Sequence, residues 1–161
     1  MILSKTYITA MEKIVNDERK ESGMSLNIED DNMCFACGQK NPISLGLKFQ
    51  FYEENKVKAN FKPRENLQGF KNIVHGGIIT TILDEAMSKV VNMKEFEAVT
   101  AEMTVRFKKP VPINNVYIVN GIFNKKNKNL LFTEAILKNR EESIYAKAEA
   151  KFMDVSKKKT N

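Results

Sequence analysis

The chain has little of the chemistry that imidazole and thiol groups supply. Its 161 residues include one histidine, His75, and two cysteines, Cys34 and Cys37. A structural zinc site takes four ligands, so one Cys-x-x-Cys and a distant histidine do not complete one within a single chain. No metal is expected unless two chains pool four thiols. A thioredoxin-like redox pair belongs at a helix start, whereas Gly38 and Asn41-Pro42 after this pair read as turns. Small buried cysteines in a loop are the expectation. Long apolar runs are missing as well, which excludes a transmembrane helix and leaves no membrane partner. Residues 1–19 interleave Lys5, Glu12, Lys13 and Asp17 with apolar positions, so no signal-peptide core is formed and the cytoplasm is the default location. There is no internal repeat, and the one biased tract is the lysine-rich tail from Lys157. The net charge is +6 and the pI near 9.2. No aromatic stacking motif accompanies the lysines, and the densest cluster, Lys157-Lys158-Lys159, lies on that tail. Nucleic acid is therefore not an expected partner. The basic excess reads as a solvated surface or as a rim that attracts a phosphorylated ligand.

What is present suits one domain with one core: 42% hydrophobic and 29% charged residues over 161 positions. Tyr7, Ile8, Met11, Ile14 and Val15 recur at helical spacing, predicting an amphipathic helix over 4–22 that stops at Gly23. Residues 27–32 are polar and acidic and read as a linker. The chain thus divides into an N-terminal helical extension (1–32), a main domain (33–155) and a basic tail (156–161). In the main domain, Leu45, Leu47, Phe49 and Phe51 alternate with polar or small residues, as do Val57, Ala59 and Phe61, predicting a hairpin. After a loop over 64–74 comes the one long helix, 76–92. Four strands follow near 99–107, 116–123, 130–137 and 144–152, expected to form a meander. This order predicts an α+β domain, one antiparallel sheet with a single helix packed on it.

The most informative stretch is His75-Gly76-Gly77 with Asp84 nine residues after the histidine. The two glycines open a helix whose first backbone N–H groups are free to bind an oxyanion. At 100° per residue, Ile79, Ile82, Leu83, Ala86, Met87 and Val90 fill one arc, and Thr80, Thr81, Asp84 and Ser88 fall opposite. Glu85 sits at another edge, about 100° from Asp84, and reads as a surface or salt-bridging residue. The apolar arc belongs on the sheet. The side with Asp84 then faces solvent or a second subunit, and burial against a copy of itself predicts a homodimer.

Three segments together resemble the hotdog-fold thioesterases of the PaaI-like type. They are Cys34-Phe35-Ala36-Cys37-Gly38 with Asn41-Pro42 and Leu45-Gly46-Leu47; Val74-His75-Gly76-Gly77 through Leu83-Asp84-Glu85-Ala86-Met87; and Thr100-Ala101-Glu102 through Val105-Arg106-Phe107-Lys108-Lys109-Pro110-Val111-Pro112. The resemblance spans roughly 33–153. It implies a hotdog fold, a sheet wrapped around one central helix, and hydrolysis of coenzyme A thioesters by homodimers or dimers of dimers. No cofactor is implied beyond the coenzyme A of the substrate. Carried over by position, Asp84 is the catalytic acid, the Gly76 N–H polarises the thioester carbonyl, and Ser88 is the hydroxyl one turn beyond the acid. The family often places Asn or Gln six residues before the histidine, near the nucleophilic water. Here that residue is Gly69, with Gln68 and Asn72 as neighbours out of register.

Thioester hydrolysis needs a polarised carbonyl and an activated water. The Gly76 N–H and the helix dipole stabilise charge on the carbonyl oxygen, and no side chain at glycine blocks the approach. Asp84 is then a general base or a direct nucleophile. His75 is either a general base or, as favoured here, a brace or cap for the helix start. Gly77, Gln68, Asn72 and Phe70 are expected on the substrate side, with Ile78, Met87, Met93 and Met103 as tunnel or core. Lys108, Lys109, Lys125 and Lys126 are candidates for the coenzyme A phosphates. Binding of acyl-CoA without hydrolysis and a hydratase activity on the same fold are the competing readings.

Overall fold

A computed structural model describes residues 30–156. The predicted helix over 4–22 and the tail from Lys157 lie outside them. Eight strands and one long helix follow one another: β1 (Gln50–Glu53), β2 (Lys56–Phe61), β3 (Gln68–Phe70), β4 (Ile73–Val74), α1 (Gly76–Met93), β5 (Ala98–Phe107), β6 (Tyr117–Asn127), β7 (Leu130–Asn139) and β8 (Ile144–Asp154). Six strands form one antiparallel sheet in the order β1-β2-β6-β7-β8-β5, and β3-β4 make a separate small hairpin.

That order corrects the expected four-strand meander. Only β6, β7 and β8 are sequential neighbours; β5 pairs with β8 at the sheet edge. The reason is the connection after β5, where Pro110 and Pro112 forbid a tight hairpin and lack ladder donors. Instead it crosses to the loop before α1. Val74 N–H donates to Val111 O (2.9 Å) and Ile113 N–H to Asn72 O (3.1 Å). The predicted strand over 45–51 is also shorter. Leu45 and Leu47 donate instead to the carbonyls of Phe35 and Ala36, tying this segment to the Cys-x-x-Cys turn.

The helix lies on the sheet as its apolar arc requires. Ile79, Ile82, Leu83, Ala86, Met87, Val90 and Val91 are all buried. Beneath it the strands carry small residues: Gly121 on β6, Ala135 on β7, and Ala146, Ala148 and Ala150 on β8. The closest approach is at Gly121, where a Cβ would stand 2.1 Å from the carbonyl oxygen of Ala86. No side chain fits there, so this glycine sets the depth at which α1 beds into the sheet. Met87 is fully buried in this core and lines no tunnel.

Candidate active site

The loop before α1 is braced by its own polar groups. Gln68 Nε2 donates to Glu65 O (2.7 Å), and Gln68 Oε1 accepts a short bond from the Asn72 N–H. Asn72 itself adopts a left-handed backbone conformation (φ 63°). Both side-chain ends of Gln68 are therefore spent within the loop, as is the Asn72 amide. Gly69 backs onto His75, where a Cβ would meet the ring Cδ2 at 3.0 Å. A larger residue at this position would push the histidine.

His75 is the N-cap of α1, extended at φ −61° and ψ 136°, and its Nδ1 accepts from the Gly77 N–H at 2.9 Å. An Nδ1 that accepts leaves Nε2 as the ring's donor position. The Gly77 N–H, expected on the substrate side, is thus donated to the cap. The Gly76 N–H has no acceptor among the described residues. It stands at the positive end of α1, and a Cβ on this residue would meet the Phe107 ring at 3.7 Å.

Asp84 sits on the side of α1 away from the core, half-buried. Its Oδ1 accepts from Thr100 Oγ1 at 2.9 Å. A β-bulge brings Thr100 there. The β5–β8 register shifts between Thr100 and Glu102, so Thr100 opposes core-facing Phe152 while Met103, Val105 and Phe107 keep the helix side beyond the bulge. Alternation alone had placed Ala101 on the face of Met103, so Thr100 was missed. Burial raises the Asp84 carboxyl above the ordinary aspartate value. The Thr100 hydroxyl pulls it down, and the Glu85 charge adds to the rise. Thr80 and Thr81 turn their hydroxyls back onto the carbonyls of Gly76 and Gly77. Ser88, one turn beyond Asp84, is half-buried, and its hydroxyl makes no hydrogen bond among the described residues.

Glu85 is a poor surface residue after all. Its side chain keeps 13% of its exposure, with Lys89 Nζ at 3.5 Å and Cys34 Sγ at 3.6 Å. Burial, followed by the hydrogen bond and charge of Glu85, pushes the Cys37 thiol up to about 12. For Lys89, burial opposes the charge, and Glu85 and Cys37 together more than offset it. The cysteines are half-buried rather than core.

The remaining expected contacts separate. Phe70 is 83% exposed and Phe107 55% exposed. Ile78 and Met103 are partly buried against the core. Lys108 is exposed, while Lys109 Nζ lies 3.5 Å from Ser143 Oγ and 5.8 Å from the Tyr145 ring centre. Lys126 is held by Asp154 at 2.5 Å and lies over the Phe96 ring, so it is no free phosphate ligand. Lys125 lies over Phe132.

With this geometry in view, residues 71–146 match the thioesterase superfamily model. Mouse acyl-coenzyme A thioesterase THEM4 is 32% identical over 119 residues, covering 71% of this chain and 51% of that protein. The chain spans about half the length of the curated relatives it matches. Among solved structures, the Escherichia coli PaaI protein from the phenylacetic acid degradation operon superposes with a TM-score of 0.64 at 16% identity, over 68% of this chain and 83% of that one. The Streptococcus mutans protein smu.793, bound to acetyl CoA, gives 0.63 at 18%, over 66% and 86%. Residues 71–146 thus carry the thioesterase superfamily's pattern, and the chain has the hotdog fold.

Proposed function

We propose that this chain hydrolyses acyl-coenzyme A thioesters, with Gly76 of one subunit and Asp84 of another acting on the same carbonyl. The observation that carries the reading is a half-buried carboxylate on the exposed side of α1, oriented by Thr100, together with an unpaired N–H at the start of the same helix. These groups are eight residues apart, which is about 12 Å of helix rise. One subunit therefore cannot bring both to one carbon, and a second copy supplies the missing half. The unpaired edge of β5, ten residues long, supports such pairing, because an open strand edge is a template for another chain. A homodimer or a dimer of dimers satisfies both.

In this reading the Gly76 N–H and the helix dipole stabilise negative charge on the thioester oxygen. The carboxylate of Asp84 takes a proton from water, or attacks the carbonyl carbon itself, and coenzyme A leaves as its thiol. His75 acts through Gly77 as a cap that holds the helix entrance. Ser88 is the hydroxyl near the acid, and Lys108 is the more available cation of the Lys108–Lys109 pair for a phosphate. The reaction so written uses no cofactor beyond the coenzyme A of the substrate, and a cytoplasmic location goes with the reading. The names of the THEM4 relatives and the acetyl CoA bound by smu.793 support the substrate class.

The test mixes two inactive variants. Asp84→Asn removes the carboxylate. Gly76→Pro removes the N–H and adds a ring at a helix position that tolerates proline, after an extended His75 that suits it. Gly76→Ala, which keeps the N–H, controls for the added bulk. Free thiol release from an acyl-CoA panel is then followed for each variant and for co-refolded mixtures. Mixed dimers should regain activity, since one of their two sites is intact. Mixtures as dead as their parents would place both groups in one subunit and defeat the reading, and a wild type that binds acyl-CoA but releases no thiol would leave a binding protein instead.

A further inference from the structure

The Cys-x-x-Cys turn, unused by the thioester chemistry, is built to aim two thiols at one point. Ala36 N–H donates to Cys34 Sγ (3.3 Å) and Gly38 N–H to Cys34 O (2.8 Å). Gly38 is obligatory: a Cβ there would stand 2.5 Å from Asn32 O and from Cys34 N. The turn is held from behind, since Leu45 N–H donates to Phe35 O, Leu47 N–H to Ala36 O and Lys40 N–H to Asn32 O. Both Ala36 and Leu47 are buried. Distant in sequence, α1 closes the third side. Glu85 turns Oε2 to Cys34 Sγ at 3.6 Å and Oε1 to Lys89 Nζ at 3.5 Å. The two sulfurs and a Glu85 carboxylate oxygen lie within 4.8 Å of one another.

We infer that Cys34, Cys37 and Glu85 form a binding site for a thiophilic divalent cation of the zinc class, with the fourth position open to water. Three observations favour it. First, a tetrahedron with Zn–S near 2.3 Å and Zn–O near 2.0–2.2 Å has edges of about 3.5–3.8 Å; the Cys34–Glu85 distance of 3.6 Å matches this, and all the ligand atoms lie within 4.8 Å of one another. Second, the turn is already fixed, with the Ala36 N–H on Cys34 Sγ and the Gly38 N–H on Cys34 O, so little ordering is needed to present the sulfur. Third, the charges close. Two thiolates, the Glu85 carboxylate, the Lys89 ammonium and one divalent cation sum to zero, which a partly buried site requires. Binding displaces two thiol protons into solvent and needs no oxidant. Two thiols and a carboxylate select zinc over the hard cations magnesium and calcium. A bound ion would fasten the segment before β1 to α1 at the residue beside Asp84, and the site stands whether or not the thioester reading does.

The test uses the full chain, reduced and stripped with a chelator, and Co(II) as the probe. Co(II) should bind with a stoichiometry of one per chain, give the thiolate charge-transfer absorption of a tetrahedral site, and be displaced by Zn(II). Cys34→Ser and Cys37→Ser should abolish the band. Glu85→Gln, which keeps both thiols and the turn, should weaken binding by about tenfold or more. Zn(II) should raise the melting temperature of the wild type and not that of Cys37→Ser. No charge-transfer band in folded wild type, or a band unchanged by Glu85→Gln, would overturn the site. A Cys34–Cys37 disulfide formed ahead of any metal uptake in air would overturn it too, in favour of a redox pair.

Discussion

The two long sides of α1 are packed by different rules. On the sheet side, Ala86 presses against Gly121 so closely that not one methyl group fits between helix and strand. The sheet there offers Ala135, Ala146, Ala148 and Ala150, all buried. On the opposite side, Asp84 is half-buried, has one hydroxyl as donor and no cation beside it, and its carboxyl is raised by the burial. One side gives the helix its place. The other keeps a charge in an unfavourable setting, as a catalytic base requires. If Asp84 is the base proposed above, stability and chemistry lie on separate sides of one element and respond differently to substitution.

The largest expected effect is at Asp84. Asp84→Asn should lower the rate of thiol release by roughly a thousandfold, within the range usual for a general base. Its thermal midpoint at neutral pH should not fall. Since the folded-state carboxyl titrates above its unfolded value, the folded chain holds that proton more tightly. Stability is then lost as pH rises from the unfolded value through the raised one. Removing the charge should thus leave neutral-pH stability equal or higher, read by thermal melts of both proteins at several pH values. A clear drop in midpoint would mean the carboxylate is structural.

Next is Gly121→Val, which should cost about 3 kcal/mol or more of unfolding free energy by overpacking. Because α1 also carries Gly76 and Asp84, thiol release per folded molecule should fall too, by far less than in Asp84→Asn. Denaturant titration with a parallel rate measurement checks the pair, and Gly121→Ala provides a milder step. Thr100→Val is smaller, about 1 kcal/mol for one hydrogen bond to a carboxylate, or several-fold in rate. Because the hydroxyl holds the Asp84 carboxyl down, its loss should move the acid limb of the pH–rate profile to higher pH. A limb that stays in place would remove Thr100 from the site. Ser88→Ala should change rate and stability least, with stability within about 0.5 kcal/mol, since the Ser88 hydroxyl bonds to nothing among the described residues.

Much of this fold was legible in period and spacing. The apolar arc of α1 follows from 3.6-residue periodicity, and the core strands β2, β7 and β8 from period two. These signals survive because burial acts directly on side-chain type. The β5 edge position was not legible, because strand order depends on where the connection through Pro110 and Pro112 docks. Thr100 was hidden by a bulge, which breaks alternation without leaving a mark in composition. Gln68 and Asn72 read as polar residues near the site; the structure adds that the Gln68 side chain is bonded within its own loop, to Glu65 O and the Asn72 backbone N–H. Glu85 read as a surface or salt-bridging residue; the pair with Lys89 is there, but nothing in the helix places the 34–38 turn against it.

By itself, then, the sequence determined one amphipathic helix opened by His75-Gly76-Gly77, strands around it, and an aspartate on the side away from the core. All of these depend on neighbours within a few turns or one strand length. Only the tertiary structure decided that Thr100 holds Asp84, that Gly77 serves the cap while Gly76 stays unpaired, and that Cys34, Cys37 and Glu85 meet. Those outcomes depend on contacts across 16 to 51 residues of chain, or on the torsions of one capping side chain. Local periodicity carries no information about either.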